Sequence, residues 1–307
     1  MLRRHKLKSL PIFNSLALDR QKLLGKTLIL ALGMCMTLPA FAGGPWLLPK
    51  RQGFFQFQSI LPVYQYNSLL MGNFINETQA LNRKVFNADY SFYLEYGITD
   101  NLNVIATLPF KHVSTGDLTD EQAFDDLLPA GELLGLSNPR VALKYGLLAK
   151  SINISVSLQT SWNTISRELE KGLATGIAAN SFGLMAHIGR SKEKHYGFLE
   201  VGYHKYTNDF SDILEVNLEH GWKLGQRWNM AFVLNVRQSL ENGPYRNLNL
   251  EQTGLYPNDQ EWAVISGKIA YETANGFGIN ASIPLVPIKF KHVGYNGTVC
   301  LGVYKKF

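Results

Sequence analysis

From residue 53 to the end of the chain, apolar and polar side chains take turns in stretches of about ten residues. Phe86, Ala88, Tyr90, Phe92, Leu94, Tyr96 and Ile98 occupy every second position, and the residues between them, from Asn87 and Asp89 to Ser91 and Glu95, are mostly polar. A strand sends successive side chains to opposite faces, so this one has an oily face and a wet face. Ile152, Ile154, Val156 and Leu158 oppose Asn153, Ser155, Ser157 and Gln159 in the same way; Trp228, Met230, Phe232, Leu234 and Val236 oppose Asn229 and Asn235. Period-2 segments fall at 53–66, 84–98, 101–113, 138–149, 152–163, 181–190, 195–206, 212–223, 227–239, 261–272, 276–286 and 297–307. That makes twelve, an even number, as bacterial single-chain membrane barrels require.

The connections alternate in length. Short ones lie at 99–101, 149–151, 191–194, 224–226 and 273–276; longer ones lie at 67–83, 114–137, 164–180, 207–211, 240–260 and 287–296. Membrane barrels have short periplasmic turns and longer extracellular loops. The fold expected is therefore all-β, a transmembrane antiparallel up-and-down β-barrel of 12 strands, with both termini in the periplasm. A soluble β-sandwich also alternates, but it buries its apolar face against a second sheet. The nearly uncharged outward faces favour the membrane, and so does the start of the chain.

Residues 1–42 read as a secretory signal. Seven basic residues, Arg3 to Lys26, precede an apolar core from Leu28 to Leu38, and Ala40-Phe41-Ala42 supplies a small-x-small cleavage site. The core is too short to cross a bilayer as a helix, which takes ~20 residues. Residues 43–52 form a periplasmic N-terminal segment and 53–307 the outer-membrane barrel. The signal carries 7 of the 30 Lys and Arg and one of the 24 Asp and Glu, so 23 of each sign remain after cleavage. The basic character of the whole chain belongs to the signal and gives no support to nucleic-acid binding. Cys300 alone remains, so no intramolecular disulfide forms. The expected location is the outer membrane of a Gram-negative bacterium.

Trp222 and Trp228 flank one short turn, Tyr271 and Phe277 another; aromatic rings at that depth form an interfacial girdle. The last strand ends Val299, Leu301, Val303, Lys305, Phe307, and a terminal Phe after alternating apolar residues resembles the recognition signal of the barrel assembly machinery. Three further stretches, Pro45 to Lys50, Tyr96 to Leu102 and Gly135 to Tyr145, resemble an outer-membrane family labelled "meta-pathway of phenol degradation". The label implies transport of aromatic or other hydrophobic compounds. These motifs mark turns and strands, and so describe architecture.

By strand phase, the charges expected to line the lumen are Asp89, Glu95, Lys111, Arg140, Lys144, Glu200, Glu215, Glu219, Arg237, Lys268 and Glu272. Bases gather on strands three and four, acids on seven and eight. They either set a field across an open channel or neutralise a filled interior as salt bridges. The loop at 114–137 is acidic, and Asp120 to Leu128 suits a short amphipathic helix, either a gate or a solvated cap. His112 and Ser114 share the outward face near the lip, and a base beside a hydroxyl is what an activated serine needs. The expectation is no enzyme, no cofactor and no metal: a passive, porin-like channel or uptake protein for a small hydrophobic or aromatic solute. The alternatives are an outer-membrane lipid hydrolase using His112 and Ser114, and a plugged structural barrel. Partners expected are outer-membrane lipid, the assembly machinery and the solute.

Overall fold

Alternating side chains roll the sheet shut. The computed structural model, described for residues 43–74, 77–119, 127–294 and 297–307, is a closed barrel of 12 antiparallel strands. In chain order the wall strands are β1 (Gly53–Pro62), β3 (Glu77–Thr99), β4 (Leu102–Leu118), β6 (Arg140–Ala149), β7 (Asn153–Ser161) and β10 (Ser181–Ser191). They continue with β11 (His195–Tyr206), β12 (Ile213–Leu224), β13 (Trp228–Ser239), β14 (Glu261–Glu272), β15 (Phe277–Gly294) and β16 (Thr298–Lys306). Each pairs with its neighbour in sequence along the wall, and β1 closes on β16 from Phe54↔Lys306 to Pro62↔Thr298. All twelve expected strands are present; most ends fall within a few residues of the periodicity. No helix among the described residues is long and apolar enough to cross a membrane, and the barrel crosses with strands.

The faces are inside out relative to a soluble protein. Leu158 is 65% exposed, while Lys144 is 2% exposed. Phe55, Leu94, Phe182, Leu184, Phe232, Ile279 and Leu301 point outward and are exposed; Gln56, Glu95, Asn103, Glu200, Asn217 and Asn235 are buried. A sandwich would bury the first set and expose the second. Apolar side chains outside a closed ladder satisfy the two demands of lipid, which are an oily surface and no unpaired backbone.

Four short strands extend this plan at the end carrying the long connections. β2 (Tyr66–Asn73) pairs with β3 and β15, so the first connection continues the wall. β5 (Gly131–Leu136) pairs with β4. β8 (Arg167–Glu168) and β9 (Leu173–Ala174) form a separate hairpin. The helix α1 (Leu248–Thr253) lies in the connection after β13.

One stretch of the wall is loose. β15 pairs with β16 through 277–282 and with β2 through 289–294. Among the described residues, 283–287 have no ladder partner on that side, and Ile288 accepts from the Phe74 N–H at 2.8 Å. Pro284 and Pro287 lie here, and proline brings no N–H to a ladder. The β14–β15 register also shifts twice around them. Opposite, β1 ends at Pro62, and Val63 (65% exposed) and Tyr64 (44%) bridge to β2.

Candidate functional site: the lumen and its two closures

A cavity of about 330 Å³ occupies the middle of the barrel. The end with the long connections is closed above it by oil. The connection after β7 carries β8 and β9 inward, and the connection after β13 brings α1 beside them. Leu173, Ala174, Leu250, Leu255 and Tyr256 pack against Tyr66, Leu69, Leu81, Val85 and Val113 on the inner wall. Local chemistry sets each piece. Asn247 caps α1, its side chain accepting from the Leu250 N–H at 3.0 Å. Gly254 ends the helix at φ 70°, and a Cβ there would strike the Leu69 side chain. Asn249 donates to the Leu169 carbonyl at 2.9 Å, and Thr253 to the Gly172 carbonyl at 2.6 Å, so the two inward segments hold each other.

The end with the short turns is closed by residues 43–52, which do not hang below the barrel. The segment runs up into it. Gly43 lines the cavity, and the Gly44 N–H donates to Glu200 Oε1 at 2.6 Å. Trp46 meets Tyr196 and Phe198 edge-on, at 6.3 and 5.8 Å. Leu48 packs on Phe54, Tyr93 and Tyr304. Arg51 N–H donates to the Gly97 carbonyl at 2.8 Å, and the backbone at Pro49 lies where a side chain on Gly97 would be.

The charges selected by strand phase meet partners nearby more than across the lumen. Lys144 Nζ lies 3.3 Å from Glu95 Oε1, and Glu95 also accepts from Asn103 at 2.7 Å and the Tyr93 hydroxyl at 3.0 Å. Lys111 sits 3.4 Å from Asp89. Glu219 holds Lys268 at 2.7 Å and the Tyr196 hydroxyl at 2.6 Å. Glu272 takes Lys306 at 2.7 Å and the Tyr304 hydroxyl at 3.0 Å. Glu215 lies 3.4 Å from His204. Arg237 stacks over the Trp262 ring at 5.1 Å, and Arg140 lines the cavity. Buried charges are costly unless paired, and these partners stand one or two strands apart along the wall.

The serine and histidine that chemistry brings together are not those the outward face suggested. His112 Nε2 lies 2.7 Å from Glu132 Oε1, and no hydrogen bond between His112 and Ser114 is present among the described residues. Inside, by contrast, Ser157 Oγ lies 2.9 Å from His187 Nε2, and His187 Nδ1 lies 2.9 Å from Glu200 Oε1. All three are buried and line the cavity. They come from β7, β10 and β11, which neighbour one another in the wall. Sequence reasoning chose Glu200 but not Ser157 or His187; the signal was their shared inward phase.

Beside the short turns, Trp228 and Phe277 are exposed, with Tyr271 4.9 Å from Trp228. Trp222 meets Phe232 edge-on at 6.0 Å. Phe307 exchanges backbone hydrogen bonds with Gly53, at 2.7 and 3.0 Å, and closes the barrel seam. Cys300 is buried against Ile60 and accepts from Gln58 at 2.7 Å. The signal at 1–42 and most of the expected helix from Asp120 to Leu128 lie outside the described residues.

No family model matches the chain, and no curated protein matches its sequence. The fold is similar to solved outer-membrane barrels. An outer membrane channel from Pseudomonas putida F1 superposes with a TM-score of 0.61 at 14% identity, covering 88% of this chain and all of that one. The NanC porin gives 0.47 at 5% identity, over 82% of this chain and all of that one. The toluene transporter TodX from P. putida gives 0.41 at 9%, over 84% and 90%. At these identities the likeness is one of fold.

Proposed function

We propose that this chain is an outer-membrane channel through which a small hydrophobic or aromatic molecule passes, entering from the long-loop, extracellular side and leaving sideways through the barrel wall. One observation carries this reading. The cavity is blocked above by the apolar cluster and below by residues 43–49, but Ile60, Tyr66, Gly294 and Thr298 among its lining residues border the loose stretch between β15 and β1–β2. A route that ends at the wall delivers its solute to lipid, which suits an oily molecule and not a hydrated one. The apolar cluster offers such a molecule its first contact. The reading places the chain in the outer membrane after removal of 1–42, with lipid and the assembly machinery as partners.

The test uses Gram-negative cells that lack the chain and regain it from a plasmid. Uptake of a labelled alkylbenzene should rise, while uptake of a small sugar should not. Replacing Pro284 and Pro287 by Thr returns N–H donors to the ladder and should cut the gain severalfold. Equal passage of sugar and hydrocarbon, or uptake indifferent to both substitutions in a folded barrel, would overturn the proposal.

A further inference from the structure

The geometry points to a serine hydrolase centre inside the barrel: Ser157 as nucleophile, His187 as base and Glu200 as the residue that positions the base, acting on small aryl esters. This goes beyond passage of a solute and does not depend on the exit route.

The arrangement fixes its own proton positions. Glu200 accepts from three donors: Gly44 N–H at 2.6 Å, His187 Nδ1 at 2.9 Å and Asn217 Nδ2 at 3.4 Å. An ionised carboxylate only accepts, so Nδ1 of His187 carries a proton, and in the neutral imidazole Nε2 is then bare. The Ser157 hydroxyl then donates to Nε2 across 2.9 Å. A nucleophile bonded to a base, itself oriented by a third group, is the geometric signature of an activated serine, whatever the fold or chain order.

The surroundings complete the chemistry. Lys144 stands directly across the β6–β7 ladder from Ser157 and is buried. Directly opposed inward residues lie ~5 Å apart at Cβ, so Lys144, whose ammonium pairs with Glu95 at 3.3 Å, lends positive charge to the neighbourhood of Ser157, which favours a developing oxyanion. Met185 stands across the β7–β10 ladder and gives an apolar flank. The cavity, about 330 Å³, lies at the lower end of ligand pockets, which run ~300–1,000 Å³. It admits a single ring with a short acyl chain and excludes a two-chain lipid. Tyr206 and Trp262 among its walls suit the ring.

Ser157 Oγ attacks the ester carbonyl carbon as His187 Nε2 takes the hydroxyl proton. The bond from that carbon to the aryl oxygen breaks, and His187 returns the proton to the departing phenolate. A water of the lumen then attacks the acyl-serine, giving its proton to His187. Release of the carboxylic acid returns that proton to Ser157, so one ester and one water yield one acid and one phenol.

The experiment treats the purified full barrel in detergent with an aryl fluorophosphonate and maps the adduct by mass spectrometry. The expected result is phosphonylation at Ser157, and hydrolysis of 4-nitrophenyl butyrate that falls ~100-fold or more in Ser157→Ala and in His187→Gln. Glu200→Gln should slow both labelling and hydrolysis while leaving Ser157 and His187 in place. Folding of each variant is checked by heat-dependent mobility in detergent gels. The unaltered protein decides the matter whichever variants fold. A folded barrel that takes no label at Ser157, or a folded Ser157→Ala variant that hydrolyses the ester as fast as its parent, would overturn the proposal.

Discussion

The two ends of the lumen are filled by different chemistry, apolar at one and at the other a mixture of paired charges and aromatic rings. At the long-loop end, two connections fold inward and bury Leu173, Leu250 and Tyr256 against Leu81, Val85 and Val113, as a soluble core would. At the short-turn end, the strands themselves supply Glu95, Lys144, Glu219 and Lys268, paired and hydrogen-bonded, and a short N-terminal segment threads among them. The apolar closure is non-directional and tolerates small shifts, because it rests on area removed from water. The polar closure is directional, and each group depends on a named partner. On the proposed reading, in which the barrel opens for a solute and keeps its shape, this division assigns opening to the apolar end and shape to the paired charges.

The largest effect should come from breaking one ion pair. Glu95→Gln leaves the Lys144 ammonium buried without its carboxylate, which costs about 3–5 kcal/mol; thermal unfolding followed by circular dichroism should show it. Arg140→Ala, at a side chain exposed to the cavity, should cost clearly less. If the two variants melt alike, the polar half is not held by specific pairs.

Leu173→Ala should cost about 2–5 kcal/mol locally and leave the wall intact. Proteolysis within 163–180 should speed up and planar-bilayer conductance should rise, with little change in the global melting point. A fall in melting as large as that for Glu95→Gln would mean that the loops hold the barrel together.

Deleting residues 43–49 should raise conductance more than it lowers stability, since it removes the Gly44 and Trp46 contacts and none of the wall ladder. Unchanged conductance would mean that the lower closure lies elsewhere.

The smallest effect concerns pH at the long-loop lip. Burial raises the Asp212 carboxyl, but hydrogen bonds from the Tyr203 hydroxyl at 2.6 Å and Asn242 at 3.0 Å outweigh that and hold it below its ordinary value. A depressed carboxylate stabilises at neutral pH and loses that contribution as pH falls through its folded-state value, below ~3.9. Acidification into that range should loosen the links from Asp212 to Asn242. Amide exchange there should respond, and Asp212→Asn should flatten the dependence.

The wall was readable because a strand between lipid and water must alternate at every residue. Phe92, Leu94, Tyr96 and Ile98 declare the outer face, and Tyr93, Glu95 and Gly97 the inner one. The plug was not readable. Residues 163–180 and 240–260 carry no period, and only their contacts with the inner wall show where they go. A faint signal existed in Leu81, Val85 and Val113, which are apolar on the inward phase and only near the long-loop end. That His112 meets Glu132 of β5 was hidden for a related reason: spacing along one strand says nothing of which strands lie side by side.

The sequence by itself determined that this chain forms a barrel, with twelve crossings, an oily outside and charges within, because period 2 and turn length are local properties of the backbone. Only the tertiary structure decided that the lumen is closed at both ends, that its charges pair with near neighbours, and that Ser157, His187 and Glu200 stand in line. Those facts depend on register between strands and on loops returning to the lumen, and contacts between residues 13 to 156 apart in the chain leave no periodic mark upon it.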